Sequence, residues 1–146
     1  MTEQLKAKVL LVDDEEDFLA TLAERLETRG LKVSTANSGE LALAKVEGEG
    51  FDLIILDLAM PGMDGLETLK RIKAKQPEAE IIILSGQGSI KTSIEAMKLG
   101  AEDFMEKPVN ITELLDKISD AKDKRMSILK KKSVKDIEKI LQSKGW

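Results

Sequence analysis

Three uninterrupted apolar runs, at residues 9–12, 53–56 and 81–84, limit the folds open to this chain. Four apolar residues without an alternating polar position are typical of strands that are buried on both faces. Apolar residues at helical spacing, ended by glycines, lie between the runs. This alternation predicts a parallel sheet with helices on both faces, which is a three-layer α/β sandwich.

Two weaker strands, at residues 31–36 and 103–105, bring the expected total to five strands alternating with five helices. Ser38 can cap the second helix, and Asn110 with Glu113 three residues later can cap the fifth. A chain of 146 residues is too short for a second full domain. We therefore predict one domain over residues 1–121.

The composition excludes several kinds of chemistry. The chain has no His and no Cys, so it has no imidazole base, thiolate nucleophile, zinc–thiolate site or disulfide of its own. Its aromatic residues are three Phe and one Trp, which does not favour stacking on nucleic acid bases. Carboxylates, hydroxyls and lysines remain, and these suit hard cations such as Mg²⁺.

The net charge of −4 divides into an acidic domain and a basic extension. Residues 122–146 carry nine basic and three acidic side chains, which leaves −10 on residues 1–121. We expect the extension to be helical, with helix 5 continuing to Leu129, an interruption at residues 130–132 and a short helix starting at Ser133. Lysine-rich helices with interspersed acids are usually solvated, so no direct nucleic acid binding is expected.

No apolar run approaches the ~20 residues of a membrane span, and the first residues lack the order of a signal peptide. We therefore expect a cytoplasmic protein without membrane contact.

Polar residues follow four of the predicted strands: Asp13 and Asp14, Asp57, Ser85, and Lys107. In open α/β sheets the carboxyl edge of the strands is where ligands bind. Carboxylates that crowd together repel unless a cation lies among them, and Mg²⁺ favours such oxygen ligands. Lys107 can pair with a carboxylate or with a phosphoryl group. The pattern predicts a site for Mg²⁺ and a phosphoryl group.

The motifs that surround these residues match a family. Across residues 7–121 the chain resembles the receiver domain of two-component response regulators of bacteria, in particular single-domain chemotaxis-type members. The motifs are Asp13-Asp14-Glu15, residues 57–65, Ser85-Gly86 and residues 104–108. The resemblance implies a flavodoxin-like fold with strand order 2-1-3-4-5.

The resemblance also implies a role for each site residue. Asp57 would accept a phosphoryl group from a sensor histidine kinase or phosphotransfer protein. Mg²⁺ would be held by Asp13, Asp14, Asp57 and the backbone carbonyl of Ala59. Lys107 would bind a phosphoryl oxygen, and its bond to Pro108 would be cis. The protein would catalyse only its own phosphorylation and dephosphorylation, and would not otherwise be an enzyme.

Ser85 would bind the phosphoryl group and vacate space for Phe104 to rotate inward. The family often has Tyr at this position, so the two states of Phe104 would differ by packing alone. A core Phe that never moves is the alternative. Ala59 and Gln87 offer no strong base, which predicts slow hydrolysis of the aspartyl phosphate. We interpret Glu15, Glu16 and Asp17 as helix-capping residues.

Three functions remain open. The first is a phosphorylation switch that controls an unknown downstream partner, and a dimer through the helix 4, strand 5 and helix 5 face is compatible with it. The second is the receiver fragment of a larger DNA-binding transcriptional regulator. The third is a scaffold that only binds, which the complete set of phosphorylation residues disfavours.

Overall fold

A computed structural model describes residues 6–58, 65–86 and 90–143. Five strands alternate with five helices, as predicted. The strands are β1 (Lys8–Val12), β2 (Lys32–Ala36), β3 (Leu53–Leu56), β4 (Ile81–Ser85) and β5 (Asp103–Glu106). The helices are α1 (Glu16–Glu27), α2 (Gly39–Gly48), α3 (Gly65–Lys75), α4 (Ile90–Lys98) and α5 (Ile111–Ser143).

The five strands form one parallel sheet in the order β2-β1-β3-β4-β5. This confirms the strand order that the family resemblance implied. Successive residues of each strand face opposite sides. Leu10, Ile54 and Ile81 pack with α2, α3 and α4, whereas Val9 and Leu11 pack with α1 and α5. The sheet is therefore covered on both faces, which explains why its central strands are continuously apolar.

Two predicted helix caps are present. The Ser38 hydroxyl accepts a hydrogen bond from the Leu41 amide at 3.1 Å, and the Asn110 side chain accepts one from the Glu113 amide at 3.0 Å. Each cap satisfies a backbone N–H that the first turn of a helix leaves unpaired. They fix the starting points of α2 and α5.

Gly65 brings the start of α3 against the chain that leaves β3. Its amide donates a hydrogen bond to the Leu58 carbonyl at 3.1 Å. A Cβ atom at Gly65 would lie 2.2 Å from Leu58 Cα and 2.7 Å from the Asp57 carbonyl oxygen. Only glycine fits this approach without displacing backbone.

The structure corrects one expectation about the C-terminal extension. α5 is a single helix of 33 residues, so it neither breaks at residues 130–132 nor starts anew at Ser133. Lysine is a good helix former, and residues 109–144 contain no Gly or Pro. The lysines interrupt the apolar pattern without interrupting the helix. Within the described ranges, none of the helices combines the length and apolar character that crossing a bilayer requires.

Candidate functional site

The polar residues that the sequence predicts for the site lie together at the carboxyl edge of the sheet. Asp13 and Asp57 follow β1 and β3 directly, Ser85 ends β4, and Lys107 follows β5. Backbone hydrogen bonds hold three of these positions: the Asp57 amide donates to Val12 O at 2.9 Å, the Asp13 amide to Ala36 O at 3.1 Å, and the Lys107 amide to Ser85 O at 2.9 Å. Asp13, Asp57 and Ser85 are buried. The rigid sheet therefore positions the site.

Three carboxylates form the acidic part of the site. One oxygen from each of Asp13, Asp14 and Asp57 lies within 4.8 Å of the others, and only Asp14 is exposed. Hard carboxylate oxygens at this spacing, open to water on one side, fit a divalent cation such as Mg²⁺. Ala59, whose carbonyl was expected to be a further ligand, lies outside the described residues, as does Gln87.

Lys107 supplies positive charge to this cluster. Its Nζ lies 2.7 Å from Asp13 Oδ2, 3.3 Å from Glu15 Oε1 and 3.9 Å from Asp57 Oδ2. Burial lowers the pKa of Lys107, but the hydrogen bond to Asp13 and the charges of Asp13 and Asp57 outweigh burial and raise the pKa above its ordinary value. Lys107 is therefore a cation held among acids, and its bond to Pro108 is cis as expected.

Two residues around Lys107 were not assigned to the site from the sequence. The Phe18 ring lies 4.2 Å from Lys107 Nζ, a cation–π contact. Glu15 stands at the N-cap of α1 but makes no side-chain capping bond, and its carboxylate reaches Lys107 instead. The Asp13 side chain accepts the Glu15 amide at 2.9 Å. Glu15 therefore occupies the N-cap position of α1, as the sequence predicted, but its side chain pairs with Lys107 and does not cap the helix.

Ser85 and Phe104 lie on neighbouring strands. Ile83 pairs with Phe104 and Ser85 pairs with Glu106 in the β4–β5 register. Because side chains alternate along a strand, Ser85 and Phe104 point to the same face of the sheet. Ser85 is buried, whereas Phe104 is half-buried against the α2–α3–α4 core. The two side chains are therefore diagonal neighbours on one face of the sheet.

An apolar cleft of about 520 Å³ opens beside Lys107. Phe18, Leu22 and Val109 line it together with Arg25 and Pro108, so α1 forms one wall and the chain between β5 and α5 the other. The cleft thus lies directly beside the cation of the site.

A family model described as the response regulator receiver domain matches residues 9–119. The chain belongs to this family. Receiver domains are phosphoacceptor signalling domains of two-component systems, and this receiver domain brings Asp13, Asp14, Asp57 and Lys107 together as the sequence predicted.

Relatives of this receiver domain differ in size. The transcriptional regulatory protein ZraR of Klebsiella oxytoca is 39% identical over 113 residues, which cover 77% of this chain and 26% of that protein. NtrX from Brucella abortus has a TM-score of 0.81 and 33% identity, over 91% of this chain and 30% of NtrX. A CheY-like receiver from Methanospirillum hungatei JF-1 has a TM-score of 0.80 and 32% identity, over 84% and 98% of the two chains. The chain spans about a quarter of the curated ZraR relative.

Proposed function

We propose that Asp57 accepts a phosphoryl group from a phosphohistidine of a sensor kinase or phosphotransfer protein. One observation carries this proposal: the buried Asp57 carboxylate lies beside Lys107 and within a three-carboxylate cluster at the carboxyl edge of the sheet. Such a cluster, with one exposed member, is accessible to an incoming phosphoryl group.

A carboxylate oxygen of Asp57 attacks phosphorus, the bond from phosphorus to the histidine nitrogen breaks, and the electron pair remains on that nitrogen. The product is an aspartyl phosphate, whose new oxygens need positive partners. Lys107 Nζ, 3.9 Å from Asp57 Oδ2, is placed to leave Asp13 and bind one of these oxygens.

Asp13, Asp14 and Asp57 are the residues that would hold Mg²⁺, and the carbonyl of Ala59 is predicted to complete the set. Bound there, the ion would neutralise charge on the transferring phosphoryl group. The chain's own residues do the remaining work: the sheet fixes Asp57, and the ring of Phe18 shields one side of the Lys107 amine.

Phosphorylation would be signalled through Ser85 and Phe104. The Ser85 hydroxyl would donate a hydrogen bond to the phosphoryl group, and Phe104 would then move into the space on the same face. The shared face and the half-buried position of Phe104 support this switch over an immobile core Phe.

The cleft beside Lys107 supports a kinase docking role. Its apolar lining, from Phe18, Leu22 and Val109, suits one face of an amphipathic helix, which would bring a phosphohistidine to the neighbouring site.

The test is incubation with acetyl phosphate, with and without Mg²⁺, followed by mass spectrometry of the intact chain. Wild type should gain one phosphoryl group only with Mg²⁺, and Asp57→Asn should gain none. Asp52→Asn, which changes a carboxylate outside the cluster, is the matched control and should react like wild type. Modification of Asp57→Asn to the wild-type extent would refute the proposal.

A second function is favoured by the named relatives. ZraR is a transcriptional regulatory protein and is about four times as long as the matching part. We propose a receiver unit at residues 1–121 and an extension at residues 122–146, helical as far as Ser143, that joins the receiver to its output. The output would be either a separate partner or an attached DNA-binding region. The expectation of no nucleic acid contact remains a prediction. Pull-down with the beryllofluoride-treated and the untreated chain distinguishes the two outputs. Capture of a protein partner supports a separate output protein. Retention of DNA by the regulator that contains this chain supports an attached DNA-binding region.

A further inference from the structure

The C-terminal half of α5 carries an apolar stripe that the domain does not cover. Side chains three or four positions apart lie on one side of a helix. Five residues along one side are each at least 44% exposed: Met126, Val134, Ile137, Ile140 and Leu141. Single exposed apolar side chains are ordinary on a protein surface, whereas a contiguous stripe marks a surface that another molecule covers.

The exposed charges of α5 are divided between its two halves. An acidic row lies on the half that packs on the domain: Glu113, Asp116, Asp120 and Asp123. A basic group lies on the extension: Lys130, Lys131, Lys132, Lys135 and Lys139. Lysines of the first half are engaged by the domain instead, since Lys117 pairs with Asp103 and Lys124 pairs with Glu102. The first half therefore presents negative charge to water, and the second half is mainly positive.

Neither the acidic row nor the basic group neutralises itself. Asp116 and Asp120 are four positions apart, as are Lys131 and Lys135, and like charges at this spacing destabilise a helix. Among the residues that the structure describes, none of the acidic row and none of the five lysines forms an ion pair. Each set is therefore complementary to a surface of the opposite charge on another molecule.

A second α5 that runs in the opposite direction supplies that charge. When a two-fold axis passes through Met126, residues that are equally distant from Met126 lie opposite each other. Four acid–lysine pairs then come together, the first two in register and the last two within one position of it: Glu113–Lys139, Asp120–Lys132, Asp116–Lys135 and Asp123–Lys130.

The same register joins apolar side chains. Ile111 and Leu115, which are only partly buried on the domain, lie opposite Leu141 and Ile137 of the second copy. Met126 lies opposite itself at the axis. A parallel pair of helices would instead place lysines against lysines and acids against acids, so the charges favour the antiparallel direction.

We propose that α5 is a self-association surface, on which a second copy of this chain packs antiparallel about Met126. The interface is isologous, because each copy offers its acidic row to the basic group of the other. Arg125, beside the axis, pairs with Asp52 at 3.4 Å and holds the base of the extension to the domain, so little order has to be gained on association. The surface is the outward side of α5, and its use does not require phosphorylation of Asp57.

The direction of packing is tested by cysteine cross-linking of the full chain, which has no Cys of its own. Ser119 and Ser133 are equally distant from Met126, and Ser→Cys is nearly isosteric. Ser119→Cys is mixed with isotope-labelled Ser133→Cys and oxidised, and the linked dimers are identified by intact mass. The mixed disulfide should dominate, because the two copies of Ser119 would lie about 21 Å apart at 1.5 Å per residue.

The charge pairing is tested by sedimentation velocity over a range of chain concentrations. Asp120→Lys should raise the dimer dissociation constant on the order of tenfold, since the axis repeats the broken pair. Adding Lys132→Glu to the same chain should restore the wild-type constant, because the new lysine faces the new glutamate. Glu24→Lys makes the same charge change at an exposed position of α1 and is the matched control, which should keep the wild-type constant.

Three results would overturn the proposal. The first is a chain that stays monomeric at millimolar concentration, including one whose apolar stripe binds anionic vesicles or another protein instead. The second is Ser133→Cys that cross-links to itself in preference to Ser119→Cys, which indicates parallel helices. The third is a dimer that forms no mixed disulfide, which indicates association through another face.

Discussion

The substitution Gly65→Ala tests how closely α3 must approach the phosphoacceptor strand. The new Cβ would lie 2.2 Å from Leu58 Cα, and ordinary contact begins at 3.4 Å, so backbone must shift by 1.2 Å. Overpacking of this kind lowers the free energy of unfolding by about 1–3 kcal/mol. The upper end applies to Gly65 because the atoms that the new Cβ meets are backbone atoms, which cannot rotate away. Alanine has a higher helix propensity than glycine, which offsets roughly 1 kcal/mol of this loss and leaves a net loss of about 2 kcal/mol.

Urea unfolding measures this loss. With a denaturant slope of roughly 1–3 kcal/mol per molar, the midpoint should fall by about 1 M. Because the same Cβ lies 2.7 Å from the Asp57 carbonyl oxygen, the phosphoacceptor must move as well. A displacement near 1 Å can cost on the order of a hundredfold in rate, so phosphorylation by acetyl phosphate should slow markedly.

Gly48→Ala is the control, because a Cβ at this exposed helical position meets nothing within 4 Å. It should leave phosphorylation unchanged and stabilise the chain by about 0.5–1 kcal/mol. The reasoning fails if Gly65→Ala unfolds at the wild-type midpoint and is phosphorylated at the wild-type rate.

Three further predictions follow from particular contacts. Lys107→Gln removes the cation that pairs with Asp13 and lies 3.9 Å from Asp57, so the unfolding free energy should fall by about 3 kcal/mol, and Mg²⁺ should stabilise the variant more than wild type; equal Mg²⁺ effects in thermal melts would contradict this. Ser38→Ala removes the α2 cap and should cost about 1 kcal/mol in urea unfolding, whereas an unchanged midpoint would deny the cap any role. The pKa of Glu80 rises on folding from 4.5 to about 7, so this group's contribution to stability is lost as pH rises across that interval. The unfolding free energy of Glu80→Gln relative to wild type should therefore increase by roughly 3 kcal/mol between pH 4.5 and pH 8, and a constant difference would exclude the raised pKa.

The sequence revealed the strands and the site more readily than the contacts between distant elements. Runs such as residues 53–56 mark buried strands because no polar position interrupts them, and Asp57 then falls at a strand end. The order of the strands came from the family resemblance, because nothing local specifies that β1 pairs with β3.

Contacts across long sequence separations were missed. Glu15 meets Lys107 over 92 residues, and its position before α1 made capping the simpler interpretation. Lys124 and Glu102 belong to no motif, so their ion pair depends on the fold that brings α5 to the start of β5. The length of α5 was misjudged because a lysine run was taken as a helix end.

The continuous α5 gives this receiver domain a lever arm. Beyond Arg125, which pairs with Asp52 at the edge of the sheet, the helix runs through Ser143, a length of about 27 Å at 1.5 Å per residue. A rotation of about 10° at the base would carry the far end through roughly 5 Å. Sub-ångström rearrangements within the sheet can thus reach a distant partner as a displacement comparable to one helical turn.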